Sequence, residues 1–146
     1  MEKRGIDRRT IELIKIIYKD NKNIVRTYNE ESREFETMVG VKQGCALSPL
    51  LFSLILDEAM KEAKKKMKTL KLGYWQMERI QLTELMFADD MAIVAETEKD
   101  LQYNIEILDK ELSKINMKIN IDKTKSMIIA TENKRHEIKL KGKQIG

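Results

Sequence analysis

Two adjacent carboxylates, Asp89 and Asp90, stand between two apolar runs in residues 85–95, "LMFADDMAIVA". A carboxylate taken out of water costs several kcal/mol unless a partner offsets it, and two neighbours also repel each other. The pair therefore calls for something positive: a Lys or Arg, or a divalent cation. Mg²⁺ takes a few carboxylates and completes its shell with water and substrate phosphate oxygens. Two such ions can activate a nucleophile and stabilise a leaving oxygen in phosphoryl transfer. An ordinary solvated turn is the competing reading, because adjacent acids are common in turns. No Gly, Asn or Pro lies between the runs, but Asp itself tolerates turn conformations, so a tight hairpin with Ala88-Asp89-Asp90 at its tip is feasible.

The elements that must hold this tip can be read from the pattern. Residues 79–87 and 91–96 have the apolar density of strands buried on both faces. Upstream, Ile11, Ile14, Ile17 and Tyr18 recur at helical spacing within 7–20, with Asp7 placed to cap the helix. The β-prone stretches 23–28 and 34–39, separated by "NEES", suggest a hairpin. In "GVKQGCALSPLLFSLILDEAMKEAKKK" two glycines bracket a loop. Ser48 as N-cap and Pro49 at the first helical position then open a helix over about 49–68. Its first part is apolar nearly all round, which predicts burial beneath a sheet. Thr97-Glu98-Lys99-Asp100 has a capping-box pattern, and Leu101, Ile105, Leu108, Leu112 and Ile115 step by four and three as an amphipathic helix. Asn116 is placed to take the left-handed conformation after it. Residues 125–131 and 137–143 read as short strands. With no repeat and no linker, the organisation is one domain. The fold class is α+β, antiparallel strands packed on helices.

Composition narrows the possibilities. The 146 residues are 42% apolar and 36% charged, enough for one domain with a core. No apolar run approaches the roughly 20 residues a membrane helix needs, and "MEKRGIDRRT" has no signal-peptide character. The lone Cys45 excludes an internal disulfide and fits a reducing compartment. The single His136 excludes His-rich metal clusters, and a Ser-His-Asp arrangement would have to draw it from a Lys-rich tail. The net charge of +4 is modest, but the basic residues cluster. Residues 61–71 hold six lysines and one glutamate, and 133–143 hold six basic residues, His136 among them, against one glutamate. Such runs can track phosphates, or they can be a solvated helix end and a fraying tail.

In order and spacing the motifs resemble the palm region of reverse transcriptases, most closely the polymerases of non-LTR (LINE-type) retrotransposons. "GVKQGCALSPLLFSLILDE" (40–58) is similar to the family's glutamine-glycine loop and following helix. "LMFADDMAIVAETEKDL" (85–101) is similar to its catalytic hairpin, and "INMKINIDKTKSMII" (115–129) to the block carrying a lysine after a helix and turn. The final "IKLKGKQIG" resembles the run-in to the hairpin at the palm–thumb border. The likeness covers nearly the whole chain from about residue 10, and the joint order of three blocks is highly specific. It implies a partial polymerase palm acting in RNA-directed DNA synthesis with two Mg²⁺ ions, an RNA template, a DNA primer and dNTPs. Asp89 would be the main metal ligand and Asp90 a lesser one. Gln43 and Gly44 would line the template and incoming-nucleotide pocket, with Gly44 allowing close backbone approach. Lys123 would sit near the triphosphate and donate a proton to leaving pyrophosphate; a surface lysine is the alternative. Phe87, also at the nucleotide, replaces a tyrosine common in relatives, keeping the ring and losing the hydroxyl. The setting implied is intracellular, and no targeting signal separates nucleus from cytoplasm.

The family's third metal-binding carboxylate lies on an earlier strand in a block like "F-x-D-x-x-K-A-F-D", which is not found here. Residues 1–20 resemble the helix that follows that block. The expectation is therefore a chain without the first catalytic strand, fingers and thumb, complemented by upstream and downstream polymerase segments. Asp57 and Glu58 are the nearest acids in sequence but lie on a helix. Mg²⁺ held by Asp89 and Asp90 alone should bind weakly, the hairpin should keep an unpaired apolar edge, and the chain alone should not polymerise DNA. Two other readings remain open: a non-catalytic nucleic-acid-binding remnant, and a plain α/β interaction protein in which the hairpin acids face a buried Lys.

Overall fold

Capping residues set the helices where the sequence places them. In the computed structural model, which describes every residue except Met38, 74–78, 131–135, Gly146 and the side chain of Lys3, helix α1 spans Arg8–Tyr18. Asp7 Oδ1 accepts from the Thr10 N–H at 2.9 Å. Helix α3 spans Glu98–Ser113, with Thr97 Oγ1 accepting from the Asp100 N–H at 3.1 Å. It stops in a left-handed turn: Asn116 has φ 57°, its N–H donates to Ser113 O, and the Met117 N–H donates to Leu112 O. This is the paired-bond ending that satisfies the last carbonyls of a helix. Helix α2 spans Ser48–Lys64. Ser48 is its first helical residue and not a cap over it, because its hydroxyl is turned back to the Lys42 carbonyl.

The chain forms two compact units, Met1–Leu54 and Ile55–Gly146, and the boundary falls inside α2. The first unit holds a 3₁₀ turn at Glu2–Arg4, α1, and a thin antiparallel pair of β1 (Lys22–Asn23) with β2 (Phe35–Glu36). An isolated bridge from Arg26 to Glu31 extends this pair toward its tip. The hairpin expected in 23–39 is thus present, apart from Met38, which lies outside the described residues. Ile11 is buried in this unit, but Leu13, Ile16 and Ile17 are exposed, so the expected stripe on α1 is covered at Ile11 and open at Ile17.

The second unit carries three further antiparallel pairs: β3 (Leu70–Leu72) with β4 (Ile80–Leu82), β5 (Glu84–Phe87) with β6 (Asp90–Ile93), and β7 (Ile138–Leu140) with β8 (Lys143–Ile145). The architecture is α+β as expected, but among the described residues the pairs are four separate two-stranded ladders that do not join into one sheet. The single strand expected over 79–87 is divided at the buried Thr83. Leu82 pairs back to Leu70, while Glu84 begins the acid hairpin. The expected strand at 125–131 is extended chain without a ladder partner over 125–130; residue 131 lies outside the described residues. The expected single strand at 137–143 is a hairpin instead. Lys141 (φ 51°) and Gly142 (φ 78°) make a two-residue turn with both residues left-handed, the geometry that matches strand twist.

The core of this unit lies between α3 and the last hairpin. Ile105, Ile138, Leu140 and Ile145 are buried together, flanked by Leu101, Ile119 and Ile121. Polar bonds fix β7 to α3. Gln102 accepts from the Lys139 N–H and donates to the Lys139 carbonyl, both at 2.8 Å, in the manner of a neighbouring strand. Lys141 pairs with Asp109 at 2.8 Å. The C-terminal end of α2 is tied to α3 in the same way. Asn104, fully buried, accepts from the Lys68 N–H at 2.7 Å and donates to the Lys68 carbonyl at 2.9 Å. Along α2, Leu56, Ala59, Met60 and Ala63 are buried at one-face helical spacing, whereas Leu50 and Ile55 are exposed. The helix buries a stripe and is not enclosed all round.

Candidate active site

The β5–β6 hairpin fixes the two acids by register. Phe87 pairs with Asp90, Met86 with Met91, Leu85 with Ala92 and Glu84 with Ile93, which leaves Ala88 and Asp89 as the two-residue turn. Ala88 carries the positive φ, 53°. The turn's left-handed residue is therefore neither Asp but the alanine, a conformation that costs an L-residue about 1–2 kcal/mol. Asp89 is a turn residue and Asp90 a strand residue, so the two carboxylates differ in backbone setting. Both are exposed, and neither makes a hydrogen bond or ion pair with any described residue. Among the described residues no Lys or Arg side chain forms an ion pair with them.

The hairpin's faces are unequal. Glu84, with its side chain 7% exposed, is ion-paired to Lys64 of α2 at the hairpin base. On the opposite face Leu85 is 58% and Phe87 83% exposed, with Asp90 and Ala92 beside them. The expectation of burial on both faces is corrected: among the described residues no third strand pairs with this ladder. An apolar face and two acids at one tip are both open to solvent.

Lys123 lies in a turn after α3, where its N–H donates to Asn120. Its side chain is exposed and makes no ion pair with any described residue, and no hydrogen bond joins it to Asp89 or Asp90. Gln43 and Gly44 belong to the first unit, as the central residues of a turn closed by the Cys45 N–H on the Lys42 carbonyl at 3.3 Å. Gly44 has φ 79°, the value the third residue of a type II turn requires, and open space surrounds the position of a Cβ there. Beneath the turn, the Tyr18 hydroxyl, the Ser48 hydroxyl and Cys45 Sγ cluster. Tyr18 is 2.8 Å from Ser48 Oγ and 3.9 Å from the sulfur. The Leu47 N–H first, then the Tyr18 and Ser48 groups, hold the Cys45 thiol below its ordinary value. Sequence reading overlooked Tyr18 and Ser48 as supports of this turn, since Ser48 before a proline resembles a helix cap and Tyr18 reads as one more apolar position.

The remaining acids are committed elsewhere. Asp57 pairs with Lys61 at 3.2 Å along α2, and Glu58 is exposed. Glu111, 3% exposed, is gripped by Lys114 at 2.5 Å and Lys66 at 2.6 Å, which together hold its carboxyl down to about 2. No group of three His, Cys, Asp or Glu side chains able to hold a metal occurs among the described residues. Asp89 and Asp90 still suit a hard cation, as two adjacent oxygen donors with no protein cation on them. Of the six lysines in 61–71, four are ion-paired, Lys61, Lys64, Lys65 and Lys66. In the other basic run, 133–135 lie outside the described residues, and Lys139 and Lys141 are paired with Glu137 and Asp109. No helix among the described residues is long and apolar enough to cross a membrane.

The family model for reverse transcriptase (RNA-dependent DNA polymerase) matches residues 2–145. The chain belongs to the reverse transcriptase family. Among curated proteins it is similar to the retrovirus-related Pol polyprotein from type-1 retrotransposable element R2 of Nasonia vitripennis, 25% identical over 124 residues (85% of this chain, 12% of that protein). It is also similar to the Pol polyprotein from type-2 retrotransposable element R2DM of Drosophila melanogaster, 37% identical over 95 residues (63% and 8%). A third relative, the type-1 element R2 Pol polyprotein of Bradysia coprophila, is 25% identical over 103 residues (70% and 11%). The chain thus spans about a tenth of the length of these relatives. R2 elements are of the non-LTR type that the motif order implied. No solved structure matches the chain. Within that family match, the chain carries its acid pair on an antiparallel hairpin and its Gln-Gly turn at the entry to a helix.

Proposed function

We propose that this chain is a palm segment of an RNA-directed DNA polymerase from an R2-like element, in which Asp89 and Asp90 hold Mg²⁺ for nucleotidyl transfer onto a DNA primer. The observation that carries the reading is the pair of solvent-open, unpartnered carboxylates at the tip of one hairpin, inside a chain matched by the reverse transcriptase model from end to end. Bound Mg²⁺ would supply the positive charge that a transferring phosphate develops against. Asp89, on the turn, presents the leading oxygens, and Asp90, anchored by its register with Phe87, supports them. Phe87 offers an exposed ring beside them for the nucleotide. Gln43, on its type II turn, meets the template and incoming nucleotide, and Gly44 leaves its surroundings open. The exposed ammonium of Lys123, which pairs with no described residue, is available to protonate pyrophosphate.

Two carboxylates without a third give weak metal binding, so the isolated chain does not extend a primer. Mg²⁺ titration followed by amide NMR is expected to perturb residues 88–90 with a dissociation constant of about 1 mM or weaker. Asp89→Asn abolishes this and Asp90→Asn weakens it. Saturation at micromolar Mg²⁺, or metal-induced shifts elsewhere that survive Asp89→Asn, would refute the assignment. Mg²⁺- and dNTP-dependent primer extension by the purified chain, lost in Asp89→Ala, would refute its inactivity while confirming Asp89.

A further inference from the structure

The Ser48 hydroxyl has one hydrogen, and the Lys42 carbonyl takes it at 2.6 Å. The Tyr18 hydroxyl lies 2.8 Å from the same Ser48 oxygen. With the serine hydrogen already spent, Tyr18 is the donor of that bond. Two directional bonds therefore run from the end of α1, through Ser48, to the carbonyl that opens the Gln43–Gly44 turn. The same carbonyl accepts the turn's own closing bond from the Cys45 N–H, so both of its lone pairs are engaged. The Lys42 side chain returns to the same tyrosine, its Nζ standing 5.8 Å from the ring centroid. On the outer side nothing stands within 4 Å of a Cβ built on Gly44. The turn is held from beneath and open from above.

We propose that Tyr18, acting through Ser48, is a positioning residue for the Gln43–Gly44 turn. It keeps that exposed, glycine-containing segment in the type II geometry in which Gln43 meets a nucleotide; this last clause rests on the functional reading given above. A glycine at positive φ in open surroundings has many alternative conformations. A buried serine that spends its hydrogen on the turn's first carbonyl removes most of them, and the phenol orients that serine by occupying its lone pair.

The test is amide hydrogen exchange on the full chain. Tyr18→Phe keeps the ring under Lys42 and removes only the hydroxyl. Exchange at the Cys45 and Ser48 amides is expected to accelerate about tenfold, the effect of losing one hydrogen bond, while amides of the β5–β6 hairpin keep their rates. Ser48→Ala should reproduce the acceleration, and Ser48→Thr, which keeps a hydroxyl, should restore the wild-type rates. Unchanged exchange in Tyr18→Phe overturns the proposal, and so does acceleration spread evenly over every amide. No nucleotide enters this experiment, so its failure is a failure of the tether alone. A Gly44 amide that ignores a primed template with dNTP in the wild-type chain is instead a failure of the functional reading.

Discussion

Replacing Asn104 by alanine tests the tie on which the second unit depends. Asn104 is fully buried and satisfies both backbone groups of Lys68, at 2.7 and 2.9 Å. Each of the two bonds contributes about 1 kcal/mol net, rising to about 2 kcal/mol where the group left behind is shut off from water. Alanine is the better helix former by up to about 0.7 kcal/mol, which offsets part of the loss. The expected destabilisation is about 2–4 kcal/mol. In a chain of this size that lowers the melting midpoint by about 5–15 °C. Urea denaturation followed by far-UV circular dichroism measures it directly. The loss should also loosen the acid hairpin, because Lys64, which grips Glu84 at its base, lies on the helix that Lys68 follows. A destabilisation below about 1 kcal/mol would mean that water replaces the amide without penalty, and the argument that this side chain locks α2 to α3 would be wrong.

Two further outcomes follow from the charges. Glu111 titrates near 4.5 when unfolded and is held down to about 2 when folded, so its stabilisation is complete above about pH 4.5 and is lost as pH falls through about 2; acid unfolding of Glu111→Gln should be less steep across that window. Of the lysines in 61–71, Lys68 and Lys71 carry ammonium groups that pair with no described residue, so binding of this tract to duplex nucleic acid should show a log–log salt slope of about 2, and a slope of roughly 5, expected for six free cations, would show that the pairs open on binding.

Local rules made much of this fold legible, and long-range ones hid the rest. Asp7, Thr97 and Asn116 act within three or four residues of themselves, so the helix ends they set could be read directly. The acid hairpin could be read because apolar runs flank it. The division at Thr83 could not, since choosing Leu70 as Leu82's partner is decided by where α2 ends and not by residues 79–87. The Lys141–Gly142 turn was readable in principle from its glycine, but the alternating lysines on both sides mimic one continuous strand. Exposure was misjudged for Leu85, Phe87, Leu50 and Ile55 because density of apolar residues says that a partner is wanted and not that one is present. At the candidate site the identity of Asp89, Asp90, Gln43, Gly44 and Lys123 came from motif order. The strained Ala88 and the Tyr18–Ser48 support came from geometry, because no periodicity encodes a hydroxyl 30 residues away.

The division of the strands into four separate ladders also bears on how the chain acquires its shape. Each ladder joins segments close together in sequence, so each can zip as soon as its own residues are available, with little loop-closure entropy to overcome. Beside the apolar cluster of Ile105 with Ile138, Leu140 and Ile145, the distant closures include polar ties: Asn104 to Lys68, Glu111 to Lys66, Gln102 to Lys139 and Tyr18 to Ser48. Assembly is then a matter of docking these hairpins onto α3. Strands this short are marginal as isolated pairs, so the acid-bearing hairpin gains its stability from the contacts it makes on docking, Glu84 to Lys64 among them.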